Sequence, residues 1–385
     1  MWKNIDEKIV SIKGYCLSSK FSQGKIYGQY QDVKTFGYIE LEAESGIKGF
    51  GENYAAVYVT NLITPTIDFL EKYLIGKKLG DPKLFNEISS IPIIARNGYI
   101  KSVIGSIETA VWDLRGKLLN KPVYELLGKK NEKVLCYASG GSISMTPDEI
   151  TKEVEDSISE NFIGYKMRVG LQTWEQDLTR ISKAKSKLIK KDLMIDAIMG
   201  TLNPGWDLDE AQRKINDLVE FTPKWIEEPL HPSKTKELKI LKKNSKVAIA
   251  AGEAYSGILE FDNLIDNKLV DYLQFDCTHS GGISICKELS QKSKKNGIQN
   301  AIHVWGSPLA LKSNLHLAHS IENISYFEIP KIKFEISDYI ESNQIKISNG
   351  YACLDDSPGF GIEITDKVKE KFKFVKGSEF NIKRK

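Results

Sequence analysis

Between Asp192 and Glu253, three short apolar runs each end in a carboxylate, a pattern that few folds can use. Leu193-Met194-Ile195 runs into Asp196, Trp225-Ile226 into Glu227, and Val247 to Gly252 into Glu253. The intervals are 31 residues from 196 to 227 and 26 from 227 to 253. One strand, one helix and their loops take about that much chain in a barrel of parallel βα units, so the spacing puts the three acids at the C-terminal ends of successive strands, converging on one mouth. Three hard oxygen ligands at one point suit a divalent cation such as magnesium. Taken singly, each acid reads as a helix cap or loop residue after a strand. Together they read differently, because each is flush against an apolar run that must be buried.

The rest of the chain has the texture such a barrel needs. From Val134 onward, short apolar runs alternate with Lys/Glu-rich amphipathic segments. Eight strands are expected, at Val134 to Ala138, Gly164 to Val169, Leu193 to Asp196, Lys224 to Glu227, Val247 to Glu253, Tyr272 to Asp276, Ile298 to Val304 and Tyr326 to Ile329. Helices fill the gaps: one opens behind Thr146 with Pro147 in its first turn, and another carries Ala211, Ile215, Leu218 and Val219 on one face. Ahead of the barrel, residues 8 to 60 read as strands, and Ser106 to Leu119 as a helix with Ile107, Ala110, Val111, Leu114 and Leu118 on one face. The polar stretch from Ser22 to Tyr30 reads as a hairpin loop or as a mobile lid.

Composition narrows the partners. At 385 residues, 41% of them hydrophobic, the chain can fill a large barrel with an appendage. A formal charge of +3, from 54 basic and 51 acidic residues, makes no field that would favour nucleic acid. No apolar run suits a signal peptide or a membrane span, which leaves the cytoplasm as the expected location. Five cysteines without a Cys-x-x-Cys pair favour neither a disulfide framework nor a zinc site.

Two further strand ends carry chemistry. Phe275-Asp276 closes the sixth strand and Ala301-Ile302-His303 the seventh, and an Asp beside a His fixes its tautomer and raises its basicity. His231, His279, His316 and His319 fall in loops or helices and read as structural or solvent-facing. On the second strand, Lys166 and Arg168 share one side and Met167 the other. Either the two cations aim into the mouth, or they face solvent and Tyr165, Met167 and Val169 are the buried set.

With these residues in place the chain resembles the enolase superfamily, in its mandelate racemase-like subgroup, over nearly its whole length. The resemblance rests on Gly49-Phe50-Gly51-Glu52, on Glu108-Thr109-Ala110-Val111-Trp112-Asp113-Leu114 with Gly116-Lys117, on Pro122 and on Leu126-Leu127-Gly128. In the barrel it rests on Lys166-Met167-Arg168, Asp196, Glu227-Glu228-Pro229, Gly252-Glu253, Asp276 with Gly281-Gly282, His303 and Glu328. It implies a modified TIM barrel, (β/α)7β, at residues 131–345, an α+β capping domain at 1–130, and a segment at 346–385 that returns to the cap. It implies Mg²⁺ on Asp196, Glu227 and Glu253, with His303 taking the proton α to a carboxylate, Asp276 supporting it and Glu328 bonding the substrate carboxylate. The expected partner is a small-molecule carboxylate, and the expected assembly a homo-oligomer. The cap segment Glu52 to Tyr54 is expected to close over the mouth and to set substrate preference more than stability.

Two positions depart from the pattern. Arg168 stands where many relatives have a second Lys, and a guanidinium makes a poor base. Ile198 stands where relatives often have Asn, ahead of a loop through Asn203-Pro204-Gly205-Trp206. Racemisation wants a base on each face of the α-carbon, whereas β-elimination needs one His. The expected activity is therefore dehydration of an aldonate or aldarate to a 2-keto-3-deoxy acid, ahead of a racemase or epimerase. A catalytically silent barrel is the rival from another class. Cycloisomerases that resemble this chain use a Lys on strand six, where Asp276 stands against them.

Overall fold

Alternation within eight short strands decides which side chains share the inside of the barrel. The computed structural model describes residues 1–23, 32–92, 94–340 and 345–380. The loop or lid expected at Ser22 to Tyr30 lies, from residue 24 onward, outside them. The strands are Val134–Ser139, Gly164–Arg168, Asp192–Asp196, Ile226–Glu227, Ile249–Ala251, Tyr272–Leu273, Gln299–Ile302 and Ile324–Pro330. Each pairs with the next, and the eighth closes in parallel on the first, Phe327 opposite Cys136 and Glu328 opposite Tyr137.

Seven helices join them, at Pro147–Ser159, Trp174–Lys187, Leu208–Leu218, Thr235–Asn244, Ile258–Asp266, Ile283–Lys295 and Pro308–Ser320. This is the (β/α)7β barrel expected from the sequence. Local chemistry starts the helices where they are needed. At Thr146 the side chain accepts from Glu149 N while the Glu149 carboxylate accepts from Thr146 N, a capping box with Pro147 at the first position.

Because side chains alternate along a strand, Leu193 and Ile195 face the helices while Met194 and Asp196 face the barrel axis. The same parity repeats around the ring. Tyr137, Met194, Trp225, Ala250, Ala301 and Tyr326 form one buried cluster, and their outward neighbours Cys136, Ile195, Ile226, Ile249, Ile302 and Phe327 belong to the core under the helices. Trp225 packs against Tyr137 and Tyr326, each at 5.5 Å between ring centroids. Two residues further along their strands, Asp196, Glu227, His303 and Glu328 form the next layer. The polar site thus stands directly on an aromatic plug.

Glu253 follows a different rule. It lies beyond its strand, after Gly252 at φ 149°, where a Cβ would come within 2.7 Å of the Gln274 backbone. Glycine is needed there for the chain to turn and bring Glu253 to the mouth.

The N-terminal part folds separately as an antiparallel sheet of Ile9–Gln23, Val33–Ala43 and Lys48–Asn53, covered by the helix Gly98–Leu118. On that helix Ile107, Ala110, Val111 and Leu114 are fully buried against Ile39, Leu41 and Ile63. Sheet and helix meet at Gly49 and Gly51, where a Cβ would stand 2.5 Å from Ala110 O and 2.2 Å from Ser106 O. Lys333–Phe334, just past the barrel, adds a fourth strand, with Phe21 opposite Phe334. The chain then lays a hairpin, Lys346–Ser348 and Tyr351–Cys353, along the first barrel strand. Beyond it, Phe360 N donates to Asp113 on the cap helix (2.7 Å) and Phe380 N to Val57 O (2.9 Å).

Glu52 joins the two parts. Its buried carboxylate accepts from Ser307 N (2.9 Å), Ser307 Oγ (2.5 Å) and Ala310 N (3.1 Å), at the start of the helix after the seventh barrel strand. An anion at a helix N-terminus is well placed, and it leaves Glu52 no freedom to serve as a lid. The expectation for Glu52 to Tyr54 therefore divides: Tyr54 lines the mouth, and Glu52 fastens cap to barrel. Glu52→Ala, which strands these donors, should lower unfolding free energy by about 2 kcal/mol in denaturant titration. An unchanged midpoint with altered substrate preference would return Glu52 to the lid.

Candidate active site

At the C-terminal end of the barrel, one carboxylate oxygen from each of Asp196, Glu227 and Glu253 lies within 4.8 Å of the others, and all three side chains are buried. The cost of crowding them shows in their acidity. Burial and the neighbouring Glu227 raise Asp196 to about 6 against the pull of Lys166 and Arg168. Burial lifts Glu253 well above the carboxylate range; His303 opposes this, and Glu228 and Asp196 add to it. A donor set of three carboxylates, without thiolate or imidazole, fits a hard divalent cation of the magnesium class.

On one side of the acids stand Lys166 and Arg168, pointing inward as the first of the two sequence readings has it. Lys166 Nζ is 2.6 Å from Glu227, 2.8 Å from Glu328 and 3.7 Å from Asp196. Burial alone would discharge this lysine, but Glu227 and Glu328 outweigh it and hold the proton firmly. Arg168 donates to Gly140 O (2.8 Å) and Ser139 Oγ (3.2 Å) and lies 3.6 Å from Asp196. Burial works against the charge on Glu328, yet Lys166, His303 and Arg168 bring it down to about 2. Its second oxygen accepts from Val304 N (3.0 Å), which ties the eighth strand to the seventh.

On the other side, His303 Nδ1 is 3.0 Å from Asp276 and its Nε2 is 3.3 Å from Glu253. The other Asp276 oxygen accepts from Thr278 N (2.8 Å), Thr278 Oγ1 (2.7 Å) and Asn314 Nδ2 (2.7 Å), so the carboxylate is locked in place. Burial disfavours imidazolium, but Glu253, Asp276 and Glu328 raise His303 to about 9. The ring is oriented by one acid and faces the triad with its other nitrogen. All eight residues singled out in the sequence meet at this one place.

Tyr54, from the cap segment expected at the mouth, lines a space of about 30 Å³ among these residues; sequence reasoning missed its other walls, Tyr58, Thr201, Trp305 and Phe380. Trp305 lies two positions past His303 and could have been found by extending that strand; no sequence signal points to Phe380. His279, read as structural or solvent-facing, is buried next to Tyr54 at 5.7 Å between rings. Lys34 is buried with no hydrogen bond on Nζ, 4.0 Å from the Trp305 ring. Glu228, present above only within a motif, is buried at φ 42° with no side-chain hydrogen bond to either carboxylate oxygen.

Two family models cover most of the chain: mandelate racemase / muconate lactonizing enzyme, N-terminal domain, at residues 29–128, and enolase C-terminal domain-like, at 149–368. The chain belongs to the enolase superfamily. As in the sequence reading, its place within that superfamily is the mandelate racemase / muconate lactonizing enzyme subgroup. Among characterised relatives, an arabinonate dehydratase of Saccharolobus solfataricus is 28% identical over 341 residues, spanning 87% of this chain and 89% of its own. An L-talarate/galactarate dehydratase of Salmonella typhimurium is 26% identical over 334 residues, 86% of this chain and 80% of its own. The crystal structure of a 3,6-anhydro-D-galactonate cycloisomerase from Zobellia galactanivorans matches with TM-score 0.82 and 29% identity over 95% of this chain and 99% of that one. An enolase superfamily member from Polaromonas sp. JS666, 24% identical, shows the same fold with TM-score 0.87 over 97% and 100%.

Proposed function

We propose that this chain is a hydro-lyase, an acid-sugar dehydratase that removes the proton α to a carboxylate and expels the β-hydroxyl to leave a 2-keto-3-deoxy acid. The observation that carries the reading is the asymmetry of the site: one histidine base stands on one side of the triad, and a fixed guanidinium stands opposite, where a second base would be needed for racemisation. The names of the relatives, dehydratases of arabinonate and of talarate/galactarate, support it.

Asp196, Glu227 and Glu253 would hold Mg²⁺, which when bound supplies positive charge to the substrate carboxylate as its α-proton leaves. His303 Nε2 takes that proton, and Asp276 keeps Nδ1–H oriented so that Nε2 stays the reactive nitrogen. Lys166 and Arg168 remain protonated and spread the second negative charge of the enediolate. Glu328, held by Lys166 and Val304 N, presents a polar edge to the substrate carboxylate. The same His303 returns its proton to the departing hydroxyl, so water is released and the enol tautomerises to the keto acid. The five cysteines are free thiols, which suits the reducing cytoplasm we assign to it.

A cycloisomerase of an anhydro acid sugar is the second reading, favoured by the Zobellia relative. There the same α-proton would leave and the C–O bond of a ring ether, rather than of a hydroxyl, would break, giving an isomer without loss of water. That chemistry needs no lysine on the sixth strand, so Asp276 does not exclude it.

The test is α-proton exchange in deuterium oxide across a stereochemically diverse acid-sugar panel, followed by NMR with 2-keto acid detection. Exchange is expected for one configuration at the α-carbon only, and Arg168→Met should slow it roughly hundredfold without changing that configuration. Efficient exchange with both configurations, one of them lost in Arg168→Met, would make the enzyme a racemase.

A further inference from the structure

The reacting groups leave about 30 Å³ among themselves, too little for a sugar acid, but a cavity of about 490 Å³ lies alongside. Tyr54, Tyr58, Thr201 and Glu253 border both spaces. The hydroxyls of the two shared tyrosines are 3.3 Å apart. A substrate with its carboxylate at the triad can extend its remaining carbons only where there is room, and among the described residues this cavity is the room beside Glu253.

The lining of that cavity carries acids and no strong bases. Glu228, Glu253 and Glu260 contribute carboxylates, and none of the described residues lining it is a lysine or an arginine. Its histidine, His279, is kept neutral by burial, which draws it down to about 4. Glu228 is the group without an occupation. It is 2% exposed, no side chain hydrogen-bonds either of its oxygens, and the Gly200 backbone amide is the polar group beside them. Gly200 leaves it its place, since a Cβ there would stand 2.5 Å from a Glu228 oxygen. A buried carboxyl with two oxygens and a single backbone amide beside them is costly unless a ligand supplies donors. The hydroxyls of a polyol do so, and a second carboxylate does not.

Taking the acid-sugar reading as its basis, we propose that the side cavity is the subsite for the uncharged polyol end of the substrate. Glu228 accepts from its distal hydroxyls, so the enzyme takes aldonates and discriminates against aldarates, whose second carboxylate would be buried among carboxylates without a cation to meet it.

The purified Mg²⁺-loaded enzyme is assayed with a hexonate and the hexarate of the same configuration at C2 to C5, following both α-proton exchange and 2-keto acid. The hexonate is expected to have the higher kcat/KM by at least about tenfold. Glu228→Gln, which replaces the acid by an amide of the same shape, should bring the two acids to within about threefold. Gly200→Ala crowds the Glu228 carboxyl without replacing it and makes no change to the sequence of the triad; it should raise KM for the hexonate roughly tenfold with little change in kcat. Equal use of the two acids by the native enzyme overturns the subsite, as does an unmoved KM in Gly200→Ala. If no sugar acid on the panel exchanges its α-proton, the dehydratase reading itself fails and the subsite falls with it.

Discussion

Replacing His303 with asparagine is expected to abolish product formation and α-proton exchange together, by roughly 10⁴-fold, while leaving the fold and metal uptake intact. The expectation follows from the layout. His303 is the sole neutralisable base on its side of the triad among the described residues that line the mouth, and Lys166 and Arg168 opposite are held as cations by Glu227, Glu328 and Asp196. Asparagine keeps a polar group near Asp276 but cannot take up a proton at neutral pH. Exchange and elimination must fall by the same factor if one group performs both steps. Loss of product with exchange retained would mean that another residue abstracts the proton and that His303 serves only the leaving group. Residual exchange lost in a His303→Asn/Lys166→Met double variant would identify that residue as Lys166.

Much of this site was legible in the sequence because it is built on strand parity. Asp196, Glu227, Asp276 and His303 end apolar runs, and Lys166 and Arg168 alternate with Met167, so period-two reading places them inside the ring above Trp225 and Tyr326; Glu328, inside its strand, came from the resemblance. The barrel and its seven helices follow from the same periodicities. What lies between the elements was less visible. Glu52 sits in a motif that the resemblance gives to the cap, yet its function in the fold depends on Ser307, distant in the chain, and nothing local to Glu52 reveals that contact. Phe380 reaches the mouth only because the tail returns to Val57. Glu228 adjoins a predicted ligand, but its lack of side-chain partners is a property of the packed cavity, which depends on Gly200 being small. Periodicity registers repeated local geometry; contacts made once, between distant loops, leave no periodic trace.

Removing the divalent cation is expected to eliminate activity, and the same three carboxylates make that loss measurable without substrate. In metal-free protein Asp196, Glu227 and Glu253 are buried together, and their mutual repulsion is offset unequally. Glu227 meets Lys166 (2.6 Å), Gln274 Nε2 (2.7 Å) and Trp225 Nε1 (3.1 Å). Among the described residues Glu253 is near one cationic partner, His303 at 3.3 Å. Added Mg²⁺ should therefore raise the melting temperature, by an amount corresponding to about 2.7 kcal/mol at a hundredfold excess over its dissociation constant. The two acids should then respond differently to neutralisation. Glu253→Gln removes repulsion and little attraction, so it should abolish the Mg²⁺-dependent rise without lowering the metal-free melting temperature. Glu227→Gln breaks a buried ion pair and leaves Lys166 short of a partner, so it should abolish the rise and lower the metal-free value as well. Activity in excess chelator, or a melting temperature indifferent to Mg²⁺, would show that the three acids serve packing and Lys166 rather than a metal. Equal destabilisation by the two variants would show that the charge balance around Glu253 is not the one described.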